Sequence, residues 1–309
     1  MKEKPPLFSH PRRSRSDFST TRHRRVFFFL KPRMLTRMDR FETKKSLGQN
    51  FLNSKVVPEW LCDAGEVVAG DLILEIGPGT GALTEALLSR GARVLALEAD
   101  LRAIEILKDK FKDELKSGQL SLEHTDVREL DLAKFGLQDH SFKVVANIPY
   151  YLTGFLFRVL LSRDIQPSTL VFLVQKEVGK RASSNIQKGE KESLLSLSLQ
   201  AFGDVKYVKT VGRGHFSPSP KVDSAIVSVH NVNRDKFKEH SADFFFEILH
   251  LGFGSKRKQL LGNLAKKYPR PRLLEMFNEA DIEPNARAED VPIWKWLTLT
   301  RTLEEESKI

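Results

Sequence analysis

The sequence has little cysteine and no long apolar run. Cys62 is the one cysteine among 309 residues, which excludes a disulfide framework and a cysteine-rich zinc site and is typical of a reducing compartment. No apolar run exceeds five residues, the length of residues 26–30, whereas a membrane-spanning helix needs roughly 20. The eight histidines show no HExxH or equivalent metal-ligand spacing. We therefore expect a soluble, cytoplasmic protein that binds neither a membrane nor a metal.

The excess positive charge is concentrated at the N terminus. Of the formal net charge of +10, residues 1–40 carry +9, from 12 basic and 3 acidic side chains, which leaves +1 for the other 269 residues. This Arg- and Ser-rich segment lacks periodicity and is predicted to be a disordered extension. Three explanations stay open: a basic arm that binds phosphates, an organelle transit peptide, or untranslated sequence upstream of a start at Met34 or Met38.

Strand and helix patterns alternate from residue 55. Runs rich in Leu and β-branched residues at 72–76, 93–98, 120–124, 143–147 and 169–175 are separated by helical patterns, which predicts a parallel sheet covered by helices on both faces. A Gly- and Pro-rich loop separates two further runs, 205–211 and 224–230, which predicts an antiparallel pair at the end of that sheet. The expected fold is therefore α/β, with a seven-stranded Rossmann-like sheet.

Four amphipathic stretches without a strand pattern follow this region, at about residues 241–253, 256–267, 271–280 and 290–304. They predict a small C-terminal helical domain. We therefore expect three parts: the extension over residues 1–40, the α/β domain over 41–231 and the helical domain over 232–309.

The first predicted strand runs into a glycine loop, EIGPGTG at residues 75–81. Gly77, Gly79 and Gly81 fit neither the dinucleotide fingerprint, whose third glycine comes one residue later, nor a P-loop, which ends in Gly-Lys-Ser/Thr. This spacing lets the backbone approach a ligand's carbon skeleton, as a nucleoside with an amino-acid tail requires. For the loop alone, a plain tight turn is the alternative.

Two carboxylates follow at the ends of the next two predicted strands. Glu98 lies 19 residues beyond Gly79, where it can accept hydrogen bonds from both hydroxyls of a ribose. Asp126 follows the third strand, where it can reach an adenine amino group. The loop and both acids, at three successive strand ends, predict a site for S-adenosylmethionine.

The fourth predicted strand ends in Asn147-Ile148-Pro149-Tyr150, which should border the same cleft. Methylation of an aromatic amine requires acceptors for the amine hydrogens, so that the nitrogen lone pair points at the methyl group. The Asn147 oxygen and the carbonyl next to Pro149 can be these acceptors, and Tyr150 can stack on a purine turned out of its strand. No strong base is required, because the cationic product nitrogen loses its proton to water. A strand-terminating turn is the alternative.

Together these motifs resemble the rRNA adenine N6-dimethyltransferases, in particular the small-subunit enzymes of the KsgA type. The resemblance extends from about residue 44 to residue 303 and rests on SLGQNFL at 46–52, EIGPGTGALTEALL at 75–88, NIPY at 147–150, VQKEVGKR at 174–181, FSPSPKVDSAIVSV at 216–229, GSKRKQL at 254–260 and PNARAE at 284–289. It implies an S-adenosylmethionine-dependent enzyme that dimethylates N6 of two adjacent adenosines in the 3′-terminal hairpin of small-subunit rRNA. The expected partner is this rRNA within an immature ribosomal subunit, and we expect a monomer.

The resemblance also implies roles for individual residues. Phe216 would form the wall of the target-base pocket opposite Tyr150, although a core aromatic is the alternative. Tyr151 stands where the family often has Asn, which changes the shape of that pocket. The residues expected to close over or contact the cofactor are Asn50, Leu52, Gly77, Gly79, Glu98, Asp126 and Asn147.

A basic stripe is expected to bind the RNA. Between Glu247 and Glu275 there are seven basic residues and no acidic one, a pattern that can hold phosphates and set the register of an RNA. A solvated helix face is the alternative. The predicted RNA-binding residues are Lys256, Arg257, Lys258, Lys266 and Lys267.

Two other functions compete with this one. A large-subunit rRNA adenine methyltransferase of the macrolide-resistance type would share the NIPY chemistry, but the basic segment and PNARAE favour the small-subunit enzyme. A non-catalytic ribosome-assembly factor or mitochondrial transcription factor of the same fold would not need Gly77, Glu98 and Asn147, which are all present.

Overall fold

The computed structural model describes residues 50–238 and 241–306. The predicted extension over residues 1–40 and the first part of the SLGQNFL motif lie outside the described residues. The strands of the described part are β1 (Phe51–Leu52), β2 (Leu72–Ile76), β3 (Arg93–Glu98), β4 (Leu120–His124), β5 (Lys143–Asn147), β6 (Thr169–Gln175), β7 (Asp204–Val211), β8 (Phe216–Ser217) and β9 (Ser224–His230).

The main sheet has seven strands in the order β4-β3-β2-β5-β6-β9-β7. The five strands from β4 to β6 are parallel, whereas β9 pairs antiparallel with both β6 and β7. The predicted fold and the antiparallel pair at the end of the sheet are therefore confirmed. The order reverses between β2 and β5, so the carboxyl ends of β2, β3, β4 and β5 meet along one edge, where ligands bind in such sheets.

The helices cover both faces of this sheet and form the C-terminal region. One helix ends at Lys110 and the next begins at Lys112, and the ring of Phe111 between them packs beside Gly81. The helices are α1 (Val56–Ala64), α2 (Ala82–Ser89), α3 (Leu101–Lys110), α4 (Lys112–Ser117), α5 (Thr153–Ser162), α6 (Lys176–Ala182), α7 (Leu194–Gln200), α8 (Ala242–Gly252), α9 (Leu260–Leu264), α10 (Arg270–Glu279) and α11 (Ile293–Glu306). No helix of the described part is long and apolar enough to cross a bilayer.

The second C-terminal helix is shorter than the sequence predicts. Its expected range, 256–267, shrinks to α9, because Gln259 is extended with ψ 150° and the Leu260 N–H bonds to the Ala286 carbonyl at 2.8 Å. The Asn263 side chain then closes the preceding turn by donating to the carbonyl of Gly252 at 2.6 Å. The basic residues 256–258 therefore lie in a turn between α8 and α9, and not on a helix.

A small second sheet was not predicted. Strands β1 and β8 pair antiparallel, with Leu52 opposite Phe216 and Phe51 opposite Ser217. Two residues per strand are too few to give a periodic pattern in sequence. This pair joins the segment before α1 to the loop between β7 and β9.

The C-terminal helices share one hydrophobic core with the sheet. Phe202, which follows α7, contacts Phe237 and Phe246 with ring centroids 5.3 and 5.8 Å apart, and Phe237 contacts Phe245 of α8 at 5.5 Å. Trp296 of α11 is fully buried in the same core. The predicted division into domains at residue 231 stays a prediction.

Close packing inside the helical region predicts that Gly252→Ala is destabilising. A Cβ at this position would lie 2.4 Å from the Trp296 ring and 2.7 Å from Leu260, and such overpacking costs about 1–3 kcal/mol. The matched control is Gly262→Ala in α9, where a Cβ meets no atom within 4 Å and the higher helix propensity of Ala adds about 0.5–1 kcal/mol. Urea unfolding followed by circular dichroism should show opposite shifts; equal stabilities of the two variants would contradict this packing.

Candidate active site

The glycine loop between β2 and α2 faces open space at Gly77 and packs against a ring at Gly79. Gly77, Gly79 and Gly81 have φ of 69°, 59° and 78°, in the left-handed region that favours glycine. A Cβ at Gly79 would lie 2.7 Å from the Phe51 ring, whereas a Cβ at Gly77 would meet no atom within 4 Å. The backbone at Gly77 therefore faces open space in the cleft, which is where a ligand can approach it.

Glu98 fixes this loop to the end of β3. Its carboxylate accepts hydrogen bonds from the N–H groups of Gly79 at 3.0 Å and Asp100 at 2.9 Å. The residue is only 6% exposed, and burial raises the pKa of Glu98 above its ordinary value. Glu98 lines the cleft as predicted, but it also holds the loop, a role that the sequence did not indicate.

Asp126 lies beyond β4 at the other side of the cleft. It accepts from the Arg128 N–H at 2.9 Å, and its Oδ2 lies 2.5 Å from Arg128 Nη2. These hydrogen bonds hold the pKa of Asp126 below its ordinary value. The side chain stays about one-third exposed and lines the cleft, so a charged acceptor faces the space where an adenine amino group is expected.

Glu75 is a cleft residue that the sequence analysis did not assign. It lies in β2, lines the cleft, is 1% exposed, and its Oε2 has no hydrogen-bond partner among the described residues. Burial raises the pKa of Glu75 to about 8. In the sequence, the position of this acid directly before the glycine loop could have indicated that it lines the cleft.

Asn147 and Tyr150 follow β5 and border the same cleft. The Asn147 Nδ2 donates a hydrogen bond to the Asn50 carbonyl at 3.2 Å. The side-chain oxygen of Asn147 is therefore the atom that can accept a hydrogen bond from a ligand. The Tyr150 hydroxyl lies 2.7 Å from Ser224 Oγ, and Pro149 has φ −56° just before a short 3-10 turn that begins at Tyr150. Asn147, the predicted acceptor, and Tyr150, the predicted stacking residue, thus lie in the same cleft as the glycine loop and Glu98.

Leu52 and Phe216 are neighbours across the β1–β8 pair, and Leu52 packs against the core cluster that contains Phe216. Asn50 and Leu52 also line the cleft, and their position over the cofactor stays a prediction. Phe216 is 3% exposed and packs in the hydrophobic core between the sheet and α1, and it is not among the residues that line this cleft. Its role as a wall of the base pocket stays a prediction.

Residues at the ends of β2, β3, β4 and β5 line one cleft. Its lining runs from Asn50 through the glycine loop, Glu98 and Asp126 to Tyr150. A wider groove of about 2190 Å³, open solvent included, lies between α5, α7 and α8, and Tyr150 lines it too. Tyr150 therefore borders both spaces.

The predicted basic stripe is divided in the structure. Lys256 lines the wider groove, whereas Arg257 and Lys258 line a separate surface hollow together with Arg287. Lys267 forms an ion pair with Glu247, so its charge is partly neutralised. Lys266 follows α9 and is exposed. The turn at residues 256–258 thus carries the strongest local positive charge of the predicted set.

Comparison with known proteins identifies the family. A model of the family described as Ribosomal RNA adenine dimethylase matches residues 40–305. The chain belongs to this family. The resemblance seen in the sequence motifs is thereby confirmed, and the cleft described above is the candidate active site of an rRNA adenine dimethylase.

Relatives of this dimethylase cover most of its length. Proteins named Ribosomal RNA small subunit methyltransferase A from Dehalococcoides mccartyi and Fusobacterium nucleatum are 36% and 35% identical to it, over 84% and 85% of this chain and 87% and 98% of theirs. A dimethyladenosine transferase from Plasmodium falciparum has a similar structure, with a TM-score of 0.69 at 25% identity over 84% of this chain and 98% of that one. The 23S rRNA methyltransferase ErmE shares the fold, with a TM-score of 0.66 at 24% identity over 82% of this chain and 100% of that one.

The buried Glu75 predicts a pH-dependent stability. Its pKa rises from 4.5 to about 8 on folding, so the free energy of unfolding should fall as the pH rises from about 4.5 to about 8 and should stay lower above pH 8. Glu75→Gln should lack this loss, because an amide does not ionise. Urea unfolding at pH 5, 7 and 9 measures the difference. The control is Glu105→Gln at an exposed position of α3; a Glu75→Gln profile parallel to the wild type would contradict the burial argument.

Proposed function

We propose that this protein uses S-adenosylmethionine to dimethylate N6 of two adjacent adenosines in the 3′-terminal hairpin of small-subunit rRNA, acting as a cytoplasmic monomer on an immature subunit. Its family and the names of its relatives support an rRNA adenine dimethylase of the small subunit. The observation that carries the proposal is the juxtaposition of Asn147 and Tyr150 with the glycine loop and Glu98 around one cleft.

The residues of the cleft fit S-adenosylmethionine. The open backbone at Gly77 leaves room for its carbon skeleton, and the unpartnered Glu75 Oε2 can accept hydrogen bonds from the ammonium group of its amino-acid tail. Glu98 and Asp126 lie at the ends of the next two strands, where they would contact the ribose and the adenine. When bound, the cofactor supplies an electrophilic methyl group.

Asn147 would present the target amine. Its Nδ2 is already engaged by the Asn50 carbonyl, so its oxygen is free to accept one N6 hydrogen and to direct the nitrogen lone pair into the cleft. The carbonyl next to Pro149 would accept the other hydrogen, and Tyr150 would stack on the base. Because the product nitrogen is strongly acidic, its proton leaves to water. Positioning alone can lower the barrier by roughly 7–11 kcal/mol.

The RNA would approach along the wider groove. Tyr150 lines both this groove and the cleft. The groove is also lined by three cations, by three acids and by two aromatic rings of the helical region: Arg158, Arg181, Lys256, Glu192, Asp243, Glu289, Phe246 and Phe253. Cations that contact phosphates and rings that contact bases are the combination that single-stranded RNA requires. A base turned out of its strand at Tyr150 would then lie beside the cofactor.

Methyl transfer to immature subunits tests the proposed activity. Small subunits from cells that lack this modification should receive label from radioactive S-adenosylmethionine, and mass spectrometry of the digested rRNA should show N6,N6-dimethyladenosine. Asn147→Ala should reduce the rate by at least roughly 100-fold, the loss typical of removing one positioned hydrogen-bonding group. Asn278→Ala, at an exposed position of α10, is the matched control.

The same assay separates the competing functions. Primer extension across the small-subunit 3′ hairpin should stop at two adjacent positions only after treatment with the active protein. Label in large-subunit rRNA would favour the macrolide-resistance activity, and tight binding of subunits without any label would favour a non-catalytic assembly factor. Either result would overturn the proposal.

The turn at residues 256–258 predicts a loss of RNA affinity on charge reversal. Replacing Lys256, Arg257 and Lys258 by Glu should weaken rRNA binding at least about tenfold and reduce its salt dependence, because fewer counterions are released. Filter binding at several salt concentrations measures both effects, and cofactor affinity should stay constant. The charge-matched control replaces three lysines of α3 and α4 by Glu: Lys108, Lys112 and Lys116. Equal RNA affinities of the two triple variants would contradict the assignment.

A further inference from the structure

The hydroxyl of Tyr150 is anchored on a rigid part of the sheet. Tyr150 Oη lies 2.7 Å from the Oγ of Ser224, the first residue of β9. Ser224 is fully buried and is paired on both sides, with Gln175 of β6 and Val211 of β7. The anchor therefore cannot move without moving three neighbouring strands. The Tyr150 backbone is held separately, because its carbonyl accepts from Thr153 Oγ1 at 2.9 Å.

The residue before Ser224 anchors the loop that carries Phe216. The Asp223 carbonyl accepts from the Lys176 N–H at 3.0 Å, and its carboxylate accepts from the Arg213 N–H at 3.2 Å. The beginning of β9 thus holds both elements that are expected to flank the target base. Neither anchor belongs to the cofactor cleft, since neither residue lines it.

We propose that Ser224 is a positioning residue for methyl transfer, whose hydroxyl holds the tip of the Tyr150 ring in place beside the target adenine. The proposal rests on the proposed function. A side chain without a partner can move between staggered χ1 rotamers, and the half-buried Tyr150 ring borders two open spaces. The hydroxyl oxygen lies on the axis of χ2 rotation, so its hydrogen bond to Ser224 fixes χ1 and thereby the position of the ring on which a base would stack.

The second methylation should depend on this anchor more than the first. An unmethylated amine offers two hydrogens, so either rotation about the C6–N6 bond presents one to Asn147. A monomethylated amine has one hydrogen left, and its methyl group adds bulk beside the stacked ring. Loss of the fixed ring position should therefore cause monomethyladenosine to accumulate relative to dimethyladenosine.

Three variants test the role of this hydrogen bond. Ser224→Ala and Tyr150→Phe remove it from opposite sides, and Tyr150→Phe keeps the ring. Each should lower kcat about 3- to 10-fold, the effect of one lost hydrogen bond, and raise the ratio of mono- to dimethyladenosine, with the KM for S-adenosylmethionine within about twofold of wild type. The double variant should be no worse than either single one, because both remove the same interaction.

Ser228→Ala is the matched control. Ser228 lies on the same strand and is equally buried, and its hydroxyl has no hydrogen-bond partner among the described residues. This variant should keep the wild-type rate and product ratio, which separates the positioning role from a general effect on β9. Thermal unfolding of all variants reports any loss of the fold. If Ser224→Ala does not fold, Tyr150→Phe alone decides.

The outcomes separate this inference from the proposed function. A wild-type protein that produces no methylated adenosine would overturn the function and the inference with it. An active wild type whose product ratio and kcat are unchanged in Tyr150→Phe would overturn only the positioning role. Losses that multiply in the double variant would also overturn it, because they would show that the two hydroxyls act independently.

Discussion

The two backbone hydrogen bonds accepted by the buried Glu98 carboxylate are the interaction on which the candidate site depends. They join the glycine loop after β2 to the turn after β3, and so they set the distance between two of the strand ends that form the cleft. Because Glu98 is almost inaccessible to water, losing either bond would leave a charged oxygen buried without a partner, which is costly. The carboxylate therefore both shapes the loop and faces the ligand space.

Contacts between distant parts of the chain complete the cleft. The segment before α1 reaches the loop before β9 through the β1–β8 pair, and its Asn50 carbonyl orients the Asn147 amide. The Phe51 ring occupies the space that a side chain at Gly79 would need. One short segment, residues 50–51, thus contacts both the proposed cofactor site and the proposed amine acceptor. A shift of this segment would therefore move both.

The helical region is packed onto the sheet and is not attached only by a linker. Phe202, Phe237 and Phe245 form a continuous aromatic contact between the two, and the Glu192 N–H bonds to the Glu289 carbonyl at 2.9 Å. Such packing resists relative motion. Lys256 of the basic turn is therefore held at the wider groove, which Tyr150 also lines.

The sequence by itself determined the seven strands of the main sheet, its parallel part and the antiparallel pair at its end. It also determined the strand ends that carry Gly77, Glu98, Asp126 and Asn147. These features follow from local periodicity and from the rule that parallel strands end along one edge. Only the tertiary structure decided the β1–β8 pair, the short α9, the burial of Phe216 and the pairing of Lys267 with Glu247. Each of these depends on residues far apart in the chain, and contacts between such residues leave no periodic pattern in the sequence. Packing and hydrogen bonding between distant segments also override the local preference of a residue for helix or strand.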